Sequence, residues 1–159
     1  RKPLTVTDGR MTRFLLPLRE AVDLVLHAFN KGSGGHIYVR KSPAATIETI
    51  AQAMINLFEY DKGSIEVGIR AGEKMHETLV TAEELFRGAD EEHYYDIAPE
   101  SQALDYNQYF IKGNKVNINK MESYTSSNTK RLNLKETMNL LLTLPEIKDA
   151  LQNWKKQEN

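Results

Sequence analysis

Two amphipathic helical stripes, set among short apolar runs, constrain this chain more than any other feature of it. Leu18, Ala21, Val22, Val25, Leu26 and Phe29 recur at the spacing of a single helix face about three turns long, with Pro17 near its start. The run "NKGSGG" then stops the helix, because glycine tolerates the left-handed backbone of a helix C-terminus. Ile47, Ile50, Ala51, Met54, Ile55 and Phe58 repeat the period, with Thr46 as the expected N-cap. Around these helices "LTVT", "MTRFLL", "HIYVR" and "IEVGIR" read as strands, the first two separated by the turn residues Asp8 and Gly9. Strand, helix, strand, helix, strand is the pattern of an α/β unit, although strands this short do not order a sheet.

Beyond "TAEELF", which reads as a short helix, the text changes character. From Asp90 to Asn133 it is polar and rich in Tyr and Asn, with β-like pieces such as "HYYDI" and "QYFIKG". Two readings stand: an arm that lays Tyr area on a neighbouring surface, or a loose surface excursion. Two helices close the chain. Leu134, Met138, Leu141 and Leu142 line one, capped by Asn133, and Ile147, Ala150, Leu151 and Trp154 line the other, opened by Thr143 and Pro145. The expected division is an α/β lobe over 1–100, an extended arm over 101–132 and C-terminal helices over 133–159.

Composition excludes several function classes. A formal net charge of −1 gives no general attraction to nucleic acid or to an anionic membrane. With 40% hydrophobic and 27% charged residues, the 159-residue chain can bury one ordinary core and is too apolar to be disordered. No apolar run approaches the ~20 residues that span a bilayer. The absence of cysteine removes disulfides and thiolate metal sites and suits the cytoplasm.

Chemistry-bearing motifs are sparse. The glycines of "GSGG" follow a helix and precede a strand, the reverse of a phosphate cradle. His27, His36, His76 and His93 lack metal-ligand spacing, and His27 falls on the polar helix face as a solvated group. No serine sits in a nucleophile elbow, so neither catalytic nor metal-binding residues are expected in the chain itself. Arg13 and Arg70 remain. Arg13 interrupts an apolar strand, and Arg70 stands at the end of another, with Glu73 three residues on. Arginine's planar fork suits phosphate oxygens, and two of them can grip a diphosphate. The same spacing also describes a plain Arg70–Glu73 surface ion pair.

The blocks "TVTDGRMTRFLLPLREAVDLVLHA", "YVRKSPAATIETIAQAM", "GIRAGEKMHETLVTAEE" and "SYTSSNTKRLN" cover most of the chain. Together they resemble the C-terminal half of bacterial UDP-N-acetylglucosamine 4,6-dehydratase/5-epimerases of capsule and O-antigen biosynthesis. These are extended short-chain dehydrogenase/reductases, often catalogued as UDP-glucose 4-epimerase-like. The resemblance implies a two-part homo-oligomeric enzyme whose N-terminal Rossmann domain holds NADP and the catalytic residues, with this chain as the substrate-binding lobe. It implies oxidation of the sugar at C4, loss of water across C5–C6, return of hydride to C6 and inversion at C5. It further implies that Arg13 and Arg70 meet the UDP diphosphate and Glu73 the ribose, with no role assigned to Lys74 or His76. Ala71 replaces the proline common in relatives, which leaves the charged pattern intact. Two alternatives accompany this expectation: a UDP-sugar 4-epimerase, and a non-catalytic assembly module.

Overall fold

The computed structural model describes residues 2–32, 34–99, 110–111, 114–115 and 122–158. Two units interleave along the chain: the first takes Arg1–Pro17, Ser42–Glu77 and Ser126–Asn159, the second Leu18–Lys41 and Thr78–Thr125.

In the first unit, β1 (Leu4–Val6) pairs in parallel with β5 (Ser64–Glu66), and β2 (Thr12–Phe14) pairs antiparallel with β4 (Ala44–Thr46) in a register that sets Arg13 opposite Ala45. The strand β4 runs directly into α2 (Ile47–Leu57). Thr46 caps that helix as expected, its hydroxyl accepting from the Thr49 N–H at 3.0 Å. α4 (Leu134–Leu141) packs on α2, whose Ala51 and Ala53 are buried. Asn133 opens α4 with a reciprocal capping box to Glu136, both bonds 2.9 Å, and α5 (Pro145–Glu158) follows. Met11, Ala44, Ala45, Leu132 and Leu141 fill the core. An apolar cavity of about 290 Å³, lined by Leu4, Met54, Phe58, Tyr60 and Trp154, lies in this unit; without a cation it does not suit a diphosphate.

In the second unit, β3 (Ile37–Arg40), β8 (Tyr94–Ile97) and β7 (Gly88–Asp90) form an antiparallel sheet in that order. β6 (Thr78–Val80) pairs with β11 (Tyr124–Thr125), and α3 (Ala82–Phe86) opens on the capping box Thr81–Glu84. A short antiparallel pair joins β9 (Phe110–Ile111) to β10 (Asn114–Lys115). Val80, Ile97 and Tyr124 are buried, with Tyr95 edge-on to Tyr124 at 5.2 Å between centroids.

Three expectations change here. The helix α1 (Leu18–Lys31) forms where the period places it, but its apolar stripe is not the buried face: Leu18 is 74% and Phe29 83% exposed. Instead, the helix turns His27 inward. That imidazole stacks on Tyr94 at 4.0 Å and meets Tyr38 edge-on at 5.4 Å, so it is packed rather than solvated. Next, the Tyr-rich text does not begin as an arm. Tyr94–Ile97 is the central strand of its sheet, where Tyr94 also accepts from Arg40 at 3.1 Å. Most of 101–121 lies outside the described residues. Lastly, the run "IEVGIR" keeps strand pairing only to Glu66; Gly68, with φ +87°, bends the backbone away. Among the described residues, no helix is long and apolar enough to cross a membrane.

Candidate functional site

The loop from Val67 to Glu77 carries the charged corner that the sequence singles out. Its entry is fixed by the Val67 N–H donating to the Val6 carbonyl at 2.8 Å, the last rung between β1 and β5. Arg70 to Glu73 then forms a turn closed by the Glu73 N–H on the Arg70 carbonyl at 3.1 Å. Gly72 sits third in that turn with φ +89°, where an L side chain is strained. The Glu73 carboxylate reaches back to the Arg70 backbone N–H at 3.0 Å. This contact replaces the surface ion pair that spacing alone leaves open: the carboxylate caps the turn, and the Arg70 guanidinium projects exposed, with no hydrogen bond among the described residues. Arg70 therefore stands four residues past the end of β5 rather than at it.

Arg13 lies against the same loop. Its Nη1 donates to the Thr12 carbonyl at 2.8 Å and to the Met75 carbonyl at 3.4 Å, and its Nε lies 3.6 Å from the Glu77 carboxylate. The Thr12 N–H also donates to the Met75 carbonyl, at 2.9 Å, so β2 meets the loop at that carbonyl. The Arg13 side chain, held by these backbone oxygens, is 28% exposed. The structure thus sets Arg13 on the loop that bears Arg70 and Glu73.

Residues that sequence reasoning passed over bind the corner together. Ser126, fully buried, accepts from the Glu77 N–H at 2.9 Å, and its Oγ lies 2.6 Å from Thr12 Oγ1. Thr12 Oγ1 is in turn 2.8 Å from His76 Nδ1. A backbone bond from the Ser126 N–H to the Glu77 carbonyl, 2.8 Å, completes the join. Arg131 donates to the Ser126 and Ser127 carbonyls at 3.3 and 3.2 Å and holds the segment's far side. Three sequence blocks far apart in the chain, "GRMTRF", "RAGEKMHE" and "SYTSSNTKRL", meet here. Neither Ser126 nor Thr12 stands out in a single sequence, because a small buried hydroxyl has no spacing signature; only the block containing each was visible.

Next to this corner the turn between β1 and β2 is clamped electrostatically. The Asp8 carboxylate accepts from the Arg10 N–H at 2.8 Å, from Nε at 3.0 Å and from Nη2 at 2.6 Å. Those side-chain bonds first, and the backbone bond second, lower its pKa from 3.8 to about 2. Among the described residues, no group of three His, Asp or Glu side chains is placed to hold a metal ion. Gly32, Gly34 and Gly35 stand between the C-terminus of α1 and β3, so no helix N-terminus opens from them.

Comparison with known proteins finds two matching family segments. The family described as "Polysaccharide biosynthesis protein" matches residues 1–99, and "Polysaccharide biosynthesis protein C-terminal" matches residues 101–148. Curated relatives named UDP-glucose 4-epimerase are 46% identical over 152 residues in Rickettsia massiliae (strain Mtu5) and Rickettsia bellii (strain OSU 85-389), and 45% in Rickettsia prowazekii (strain Madrid E). In each, the match takes 96% of this chain and 44% of the relative, so the chain spans less than half the length of the relatives it matches. A crystal structure titled "X-ray structure of Pen from Bacillus thuringiensis" superposes with a TM-score of 0.71 at 26% identity, over 89% of this chain and 40% of that one. Matched in sequence across both family segments and in fold across nearly its whole length, the chain belongs to the polysaccharide biosynthesis protein family.

Proposed function

We propose that this chain is the nucleotide-sugar-binding portion of an enzyme that remodels a UDP-linked sugar for polysaccharide assembly in the cytoplasm. The observation that carries the reading is the loop 67–77. It presents an exposed Arg70 guanidinium, without a hydrogen bond among the described residues, on a glycine turn braced by Glu73, and β2 holds Arg13 against the same loop. In this reading both arginines neutralise the diphosphate and Glu73 meets the ribose. Binding energy from the UDP handle then positions the sugar for reaction.

The substrate proposed is UDP-N-acetylglucosamine and the reaction 4,6-dehydration with 5-epimerisation. NADP would supply the hydride chemistry. This chain's residues do not fit that cofactor, since its glycine cluster faces a strand rather than a helix start, and its own part is confined to holding the UDP-sugar. Isothermal calorimetry with UDP tests the site. Arg70→Ala is expected to weaken binding by about 2–5 kcal/mol, the cost of unpairing a bound phosphate charge; unchanged affinity removes Arg70 from the site.

A second reading, UDP-glucose 4-epimerase, is favoured by the names of the curated relatives. NMR of the product from the complete enzyme carrying this sequence separates the two. A 4-keto sugar identifies the dehydratase, and a C4 epimer without a ketone identifies the epimerase.

A further inference from the structure

The hydrogen-bond chain that ends on His76 has a direction that can be worked out proton by proton. Ser126 Oγ accepts from the Glu77 N–H at 2.9 Å, which occupies one lone pair. It also lies 3.1 Å from the Thr12 carbonyl, which can only accept, so the Ser126 proton goes there. Having spent its single proton, Ser126 Oγ must accept across the 2.6 Å contact with Thr12 Oγ1, and the Thr12 hydroxyl is the donor. Thr12 Oγ1 is then left as an acceptor toward His76 Nδ1 at 2.8 Å, which must carry a hydrogen. The opposite direction leaves Ser126 Oγ and the Thr12 carbonyl facing each other with no proton between them. Thr12 and Ser126 are 1% and 0% exposed, so no solvent competes for these bonds.

The consequence falls on the far side of the ring. With hydrogen on Nδ1, a neutral His76 presents a bare Nε2, the reverse of the tautomer that histidine favours in water. The ring is exposed and Nε2 has no partner among the described residues.

We propose that Thr12 and Ser126 are positioning residues that lock the His76 tautomer, and that the Nε2 lone pair of His76 accepts a hydrogen bond from a hydroxyl of the bound nucleotide. This rests on the nucleotide-binding reading above and adds to it a polar contact that neither arginine can supply, since guanidinium donates and never accepts.

Nitrogen-15 NMR of the histidine rings in the 159-residue chain, above pH 8, reads the tautomer directly. His76 is expected in the Nδ1–H form, and Ser126→Ala is expected to return it toward the Nε2–H form. A His76 resonance already in the Nε2–H form overturns the proposal. UDP is then titrated in. Its addition should shift Nε2 upfield, as an accepted hydrogen bond does. His76→Asn, at an exposed position and able to keep the inward contact with Thr12, should weaken UDP at least fivefold with an unchanged melting temperature. UDP binding that depends on Arg70 but ignores His76→Asn overturns this inference alone. UDP binding that is absent, or indifferent to Arg70→Ala, overturns the nucleotide-binding reading beneath it.

Discussion

Asp8 shows how one side chain ties the site's geometry to pH. Its folded pKa, lowered to about 2 from 3.8 by Arg10, means that the folded state holds the charged carboxylate more tightly than the unfolded chain does. That contribution is fully present above about pH 4 and disappears as pH falls through about 2. Urea melts from pH 6 down to pH 2 should therefore show the stability gap between the native chain and Asp8→Asn shrinking across the lower part of that range; a constant gap refutes the clamp. At this scale the sequence was legible where a charge stood in odd company. Arg13, Arg70 and Glu73 each drew attention that way, although Glu73 braces a backbone N–H rather than pairing with the guanidinium. Thr12 and Ser126 gave no such signal, because their role is fixed by a contact between residues 114 apart in sequence.

Secondary-structure elements were legible in kind and less so in orientation. Both long early helices form at the positions that the apolar period marks, and Thr46 and Asn133 cap as read. Periodicity reveals that a stripe exists without revealing what it meets, and α1 makes the difference plain. Its Leu18–Phe29 stripe is exposed, while His27 and its neighbours face the sheet. Replacing Phe29 by Ser should therefore change unfolding free energy by no more than about 0.5 kcal/mol. A buried Phe truncated in the same way costs about 3–5 kcal/mol. Denaturant titration of the variant decides between the two, and a large loss would return this face to the core. The strands β4, β6 and β7 are not marked in the sequence: Ala44–Thr46 runs straight into α2, Thr78–Val80 stops at the helix cap Thr81, and Gly88–Asp90 is no apolar run. Conversely, "IEVGIR" looked longer than it is, because the turn chemistry of Gly68 was masked by the β-branched residues around it.

The whole molecule was the least legible scale. Reading along the sequence favours consecutive segments, whereas the chain crosses between its two units at Pro17/Leu18, Lys41/Ser42, Glu77/Thr78 and Thr125/Ser126. Deleting everything after Thr125 should accordingly strip the first unit of Ser126, Leu132 and Leu141 from its interior. Hydrogen exchange on that truncated chain is expected to show lost protection at Thr12 and Val67, with protection retained at Val39 and Tyr95; uniform retention contradicts the interleaving. The crossings also impose a timetable on biosynthesis. A ribosome has delivered all of the second unit once Thr125 is out, while the first still waits for its closing helices. The nascent polypeptide must therefore carry the loop of Arg70 for some fifty residues of translation before Ser126 arrives to fasten it.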